Sequence, residues 1–215
     1  MQIKRLQLGP MQNFVYLLVP PSPRRLAVVD PAWEPGVLLR EADALGRPLT
    51  DIVLTHHHAD HRNAIEALLE RGVQARIHVQ QAELPWLGGL GWASDVVVHA
   101  PGDELDLGGE VVTLVHTPGH TPGSQCVRCG DQLLTGDTLF IDGCGRCDLP
   151  GGDPATMFDS LTRLMTDLPG HTRVLPGHDY APMPEATLDA QRQSNPYLRL
   201  NTAADFVAFR MRPRR

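Results

Sequence analysis

Apolar residues in the first thirty positions alternate with polar ones or gather in short runs, at residues 3–8, 13–19 and 26–29, broken by Gly9-Pro10 and by Pro20-Pro21-Ser22-Pro23. Short runs bounded by Gly and Pro predict strands joined by turns. Residues 35–45 change period: Val37, Leu38 and Leu45 fall on one helical face, Pro35 opens the segment and Gly46 closes it, which predicts a helix. A short buried strand is expected at 52–54 and a second helix over 60–70, ended by Gly72. The pattern then repeats, with strands at 75–79, 96–98, 104–107, 111–115, 125–128, 132–135 and 173–175. A short helix is expected near 80–84 and an amphipathic one over 154–168, with Pro154 at its first position. Strands, helix, strand, helix occur twice. Two such half-units predict an α/β fold of two sheets packed face to face with helices outside, and no linker divides residues 1–215, so one domain is expected.

Composition narrows the partners. Apolar residues make up 42% and charged residues 20% of the 215, an ordinary globular balance, and the net charge is −6. The basic residues cluster only at Arg210-Met211-Arg212-Pro213-Arg214-Arg215, so neither nucleic acid nor a membrane surface is an expected partner. No run is long and apolar enough to span a bilayer, and Met1-Gln2-Ile3-Lys4-Arg5 lacks the apolar core of a secretory leader, so a cytoplasmic protein is expected. Four cysteines form two CxxC pairs, Cys126/Cys129 and Cys144/Cys147. Their spacing brushes against a zinc ribbon. Because Cys126 and Cys129 fall on opposite faces of one predicted strand, reduced thiols are the expectation.

The chemistry is concentrated at the ends of the predicted strands. Thr55-His56-His57-His58-Ala59-Asp60-His61 places four imidazoles and a carboxylate directly after an apolar run. Borderline-soft divalent metals prefer imidazole nitrogen with one or two carboxylate oxygens. Further donors follow other strands: His120 in Thr117-Pro118-Gly119-His120-Thr121-Pro122-Gly123-Ser124, Asp137 after Gly136, and His178 in Pro176-Gly177-His178. Asp30 could support the ligands by hydrogen bonding. His57 would point away from a cage formed by its neighbours, His78, His99 and His171 read as ordinary imidazoles, and His116 could orient the His120 loop.

In this order, His-x-His-x-Asp-His, TPGHTPGS, GD and PGH resemble the metallo-β-lactamase superfamily, from about Gln7 to Tyr197. The resemblance implies a four-layer αββα sandwich and two divalent metal ions, zinc foremost, with iron or manganese as alternatives. One metal would be held by His56, His58 and His120, the other by Asp60, His61 and His178, with Asp137 bridging. A hydroxide held by the two metals would attack the substrate, oriented by Asp60 as a catalytic residue.

Gly136 to Arg146 resembles the glyoxalase II (hydroxyacylglutathione hydrolase) branch, which implies a small acyl thioester as substrate and Arg146 as a substrate-binding residue. The branch has an aromatic hydroxyl where this chain has Asp148, and Asp148 or Asp153 could instead pair with Arg146. Residues 195–199 and 206–212 match only a remnant of the family's C-terminal helical region. Lactone-cleaving relatives carry a tyrosine where this chain has Phe140. Gly143-Cys144-Gly145-Arg146-Cys147-Asp148 also resembles the persulfide dioxygenases, which implies a single iron on His56, His120 and Asp137. Trp86, Trp92 and Gly88, Gly89 and Gly91 could form a lid. No oligomeric state is readable.

Overall fold

The computed structural model describes residues 1–88 and 96–212; Trp92, Gly89 and Gly91 of the expected lid, and the last three residues of the basic cluster, lie outside the described residues. The chain begins with an antiparallel hairpin, β1 (Gln2–Leu8) and β2 (Asn13–Val19), followed by β3 (Ala27–Val29), α1 (Pro35–Leu45), β4 (Asp51–Val53), α2 (Ile65–Glu70), β5 (Arg76–Gln80) and β6 (Val96–His99). These strands form one sheet in sequence order, antiparallel from β1 to β3 and parallel from β3 to β6. The second half supplies β7 (Glu104–Asp106), β8 (Val111–His116), β9 (Gln125–Cys129), β10 (Gln132–Gly136), the small hairpin β11 (Leu139–Phe140) and β12 (Gly143–Cys144), α3 (Pro154–Asp167), β13 (Arg173–Pro176), β14 (Ala186–Thr187), α4 (Leu188–Ser194) and α5 (Ala203–Arg210). Its main sheet runs β14-β13-β10-β9-β8-β7, with β10 and β13 parallel.

Side-chain alternation explains the layering. In β2, Phe14, Tyr16 and Leu18 face the second sheet's Leu114, Val127, Leu134 and Leu175, whereas Val15, Leu17 and Val19 face Leu38 of α1 and Ile65 and Leu68 of α2. A strand covered on both faces is apolar at every position, as β2 is after Asn13. On the other side, Cys126, Leu133 and Val174 pack against Met157, Leu161 and Leu164 of α3, Leu188 of α4 and Phe206 of α5. The result is the expected αββα sandwich. Cys126 belongs to the outer core and Cys129 to the inter-sheet core, so the two lie on opposite faces of β9, and all four cysteines are buried and form no disulfide among the described residues.

Helix ends follow local chemistry. Pro35 occupies the first turn of α1, and Gly46, at φ 64, terminates it in the left-handed conformation. The Asp153 side chain accepts hydrogen bonds from the Ala155 and Thr156 amides at the start of α3. The helix expected over 60–70 is corrected: a 3-10 turn covers Ala59–His61 and the α-helix begins only at Ile65. In an α-helix, adjacent side chains diverge by about 100°. Here the 3-10 turn ends at His61 and both side chains reach toward one point, Asp60 Oδ2 lying 3.5 Å from His61 Nε2.

Candidate metal centre

Every expected ligand lies where a strand ends. β4 leads into Thr55–His61, β8 into the loop bearing His120, β10 into Asp137 and β13 into His178. Gly136, at φ 47, makes the approach possible: a Cβ there would lie 2.4 Å from Thr55 Oγ1, so a side chain would hold the two sheets' loops apart.

Two groups of donors emerge, His56, His58 and His120 in one and Asp60, His61 and His178 in the other, with the ligand atoms of each within 4.8 Å of one another. In the first, His58 Nδ1 lies 3.1 Å from His56 Nε2 and 2.9 Å from His120 Nε2. In the second, His178 Nε2 lies 3.1 Å from His61 Nε2 and 3.4 Å from Asp60 Oδ2. Asp137 sits between them: its Oδ1 is 3.3 Å from His61 Nε2 and 3.4 Å from His178 Nε2, and its Oδ2 is 3.5 Å from His120 Nε2. Asp30, His56 and His61 lie equally close, but both Asp30 oxygens are engaged. Oδ1 accepts from the Thr55 amide at 2.7 Å, and Oδ2 contacts Thr55 Oγ1 at 2.6 Å and His61 Nδ1 at 2.9 Å. Asp30 is thus hydrogen-bonded to the candidate ligand His61 and to the residue before His56.

The donor set fits divalent cations on chemical grounds. His120 Nδ1 lies 2.7 Å from the Arg146 carbonyl and His178 Nδ1 lies 2.9 Å from the Met11 carbonyl. A carbonyl can only accept, so each Nδ1 carries the proton and each Nε2 presents a bare lone pair toward the centre. Asp137 Oδ1 is buried without a hydrogen-bond partner. Converging lone pairs and an orphaned carboxylate oxygen are costly unless a cation satisfies them.

Electrostatics agree. Burial, reinforced by His61 and His120, keeps His56 far below its ordinary pKa; burial with His120 and His57 takes His58 down to about 4; burial also lowers His120. These three imidazoles can ligate at neutral pH without first losing a proton. Burial would likewise lower His61, but Asp137 and Asp30 outweigh it and hold a proton there in the metal-free protein. Burial would raise Asp137, yet His61 and His178 keep it firmly ionised.

Two supporting residues escaped the sequence reading. Asn13 Nδ2 donates to the Asp60 carbonyl at 3.0 Å and to Asp60 Oδ2 at 3.1 Å, while its Oδ1 accepts from Trp33 Nε1 at 2.7 Å. Buried Glu83 binds His57, Thr121 and Gly123. His57 is indeed turned from the cage, its ring stacked on Trp86 with centroids 5.0 Å apart. His116 Nε2 lies 2.9 Å from the Pro122 carbonyl and so orients the His120 loop. His78 and His99 form a separate buried cluster, and His171 is exposed. The Arg146 carbonyl faces His120, and its exposed guanidinium is paired with Asp148, Nε to Oδ1 at 2.9 Å and Nη2 to Oδ2 at 2.8 Å, the pairing the sequence left open.

The sequence model of the metallo-beta-lactamase superfamily matches residues 8–178, which contain every donor described above. The chain belongs to this superfamily. Among relatives within it, BaeB of Bacillus velezensis, named a probable polyketide biosynthesis zinc-dependent hydrolase, is 32% identical over 200 residues, covering 93% of this chain and 88% of BaeB. A hydroxyacylglutathione hydrolase of Synechococcus sp. is 38% identical over 178 residues, 81% of this chain and 67% of the relative. The crystal structure of ETHE1 from Myxococcus xanthus matches with a TM-score of 0.86 at 30% identity, covering 100% of this chain and 93% of that one. These likenesses support the glyoxalase II-like branch and a metallo-hydrolase. No helix among the described residues is long and apolar enough to cross a membrane.

Proposed function

We propose that this metallo-β-lactamase-fold protein hydrolyses small acyl thioesters, of the glutathione type or similar, using two divalent ions, zinc foremost. The observation that carries the reading is Asp137, whose two oxygens face one donor group each. His56, His58 and His120 would hold one ion and Asp60, His61 and His178 the other, with Asp137 between. Two such ions supply an acidified water and positive charge for the developing oxyanion and the departing thiolate. Asp60, fixed by Asn13, would orient the attacking water. Asn13 holds one face of the Asp60 carboxylate, leaving Asp60 a defined orientation toward the centre.

The rim suits a substrate with an apolar acyl part. Met11, Trp86 and Tyr180 are 43%, 37% and 55% exposed, and Tyr180 stacks on His178 with centroids 4.6 Å apart while Trp86 stacks on His57. Phe140, beside His178 at 5.9 Å, has no hydroxyl with which to assist lactone opening. With Arg146 paired to Asp148, selectivity for the glutathione carboxylates is expected to be weak and KM raised.

A second reading rests on residues 143–148, which resemble the persulfide dioxygenases. It would use one iron on His56, His120 and Asp137. Thiol release from S-lactoylglutathione, measured beside a lactam, a lactone and a phosphodiester, tests the first reading, and oxygen uptake with glutathione persulfide tests the second. Thioester turnover exceeding the other three supports hydrolysis. Robust oxygen uptake with no thiol release overturns it.

A further inference from the structure

Glu83 projects from the 3-10 turn Gln81–Trp86 that follows β5 and is 2% exposed. Its two oxygens divide their work. Oε2 accepts from the His57 amide at 2.7 Å and contacts His57 Nδ1 at 2.5 Å; Oε1 accepts from Thr121 Oγ1 at 2.8 Å and from the Gly123 amide at 2.6 Å. One oxygen therefore serves the His-rich turn and the other the Pro/Gly loop. His57 lies between His56 and His58, and Thr121 follows His120, so each donor of the first group is one residue from a Glu83 contact. The second group has different supports, Asn13 for Asp60, Asp30 for His61 and the Met11 carbonyl for His178.

The surroundings are shaped to this carboxylate. A Cβ on Gly123 would lie 2.6 Å from Glu83 Cγ and 2.7 Å from Oε1, so only glycine lets that loop close onto the acid. Burying a carboxylate is costly unless it is fully hydrogen-bonded, and the partners given above all belong to the two loops that carry the first donor group.

We propose that Glu83 is a positioning residue for the first metal, a carboxylate clamp that sets the spacing between the His56/His58 turn and the His120 loop without touching metal or substrate. The proposal rests on the dinuclear reading above. An amide cannot replace the acid: in Glu83→Gln one end of the side chain becomes an NH2 facing N–H donors, and one of the two loops is released.

The test is titration of metal-free protein with Co2+ or Zn2+ against a competing chelator, for the native chain, Glu83→Gln and Asn13→Ala, with thermal melting of each metal-free form. The two donor sets, three imidazoles against two imidazoles and a carboxylate, give distinct Co2+ spectra. Native protein should bind two equivalents. Glu83→Gln should weaken the three-imidazole site about 10- to 100-fold and spare the other, and Asn13→Ala should do the reverse. Thr121→Val, which removes one Oε1 contact, should act on the same site more mildly and serves if Glu83→Gln fails to fold. Unchanged affinity at the three-imidazole site, or equal weakening of both sites accompanied by a lower metal-free melting temperature, overturns the clamp. A native chain that binds fewer than two equivalents instead overturns the dinuclear reading; Glu83→Gln must then still weaken a single three-imidazole site, or the clamp fails with it.

Discussion

The two ends of β4 each bury imidazole against carboxylate, yet they differ in how completely the polar atoms are paired. At the start of the strand, Asp51 accepts from Arg25 Nη2 and Arg76 Nη2 at 2.8 Å each, from Thr50 Oγ1 at 2.7 Å and from His78 Nε2 at 3.0 Å. His78 Nδ1 continues to His99 Nε2 at 2.9 Å, and His99 Nδ1 lies 3.4 Å from Asp103 Oδ2. At the other end His120 and His178 turn bare Nε2 atoms inward, and Asp137 Oδ1 has no hydrogen-bond partner of good geometry. A cluster that satisfies itself is a structural tie. A cluster that spends its protons outward and leaves lone pairs inward is arranged for something it does not contain.

Asp137→Ala should break the unsatisfied end with the largest effect. Loss of several kcal/mol of transition-state stabilisation corresponds to a drop on the order of 10^3-fold or more in turnover. A fully active variant would place the site elsewhere. Chelation comes next. Stripping metal should abolish thioester turnover, restored by added zinc, and should lower stability by about 2.7 kcal/mol for each ion lost relative to protein held at 100 times the metal's dissociation constant, read as a shift in melting temperature.

Asp51→Ala probes the other end, with the opposite signature. Removing the acid strands buried His78 and the largely covered Arg25 guanidinium, at a cost of about 3–5 kcal/mol by denaturant unfolding, while turnover per folded molecule stays unchanged. Burial would raise the Asp51 pKa, but hydrogen bonds from His78, Thr50 and Arg25 outweigh it and depress it strongly. A carboxyl depressed in the folded state contributes stability above its unfolded value of about 3.9 and loses that contribution as pH falls through the folded value. The native protein should therefore shed stability at strongly acidic pH, and Asp51→Ala should lack that portion of the acid limb.

The smallest effect belongs to the surface pair. Asp148→Ala frees the Arg146 guanidinium and should lower KM a few-fold for carboxylate-bearing thioesters, while Arg146→Ala should raise it, with uncharged thioesters unaffected by either. Equal KM changes for charged and uncharged substrates would remove Arg146 from substrate reading.

Much of this contrast was legible in the chain because its signals are local. Pro35 with Gly46 and Asp153 with Pro154 mark helix ends without reference to the fold, and the six donors plus Asp137 each follow an apolar run. Asp30 and His116 were legible as supports, whereas Asn13 and Glu83 were not. Asn13 acts on a residue 47 positions away and Glu83 on residues 38 and 40 positions away, and a single polar residue in an unremarkable segment carries no mark of such partners. The short elements β11, β12, β14 and α4 escaped for a similar reason. Asn195 Nδ2 reaches the Phe140 and Gly143 carbonyls, so tertiary bonds hold what local propensity does not specify. The break before α2 was missed because the competing demand, two adjacent side chains aimed at one place, is a property of the site.

The turn between β1 and β2 has a bearing on where this chain can be lengthened. A hairpin tip is ordinarily a safe place for an inserted peptide or new termini. Here the tip is stitched to the His178 segment, with Asp179 N donating to the Gln12 carbonyl at 2.9 Å, Phe14 N to the Gly177 carbonyl at 2.8 Å and His178 Nδ1 to the Met11 carbonyl. Lengthening residues 9–12 would shift the acceptor of His178 and the amide of Asn13 together. A graft is better carried at Gly108-Gly109, whose amides bond Asp106 within their own turn.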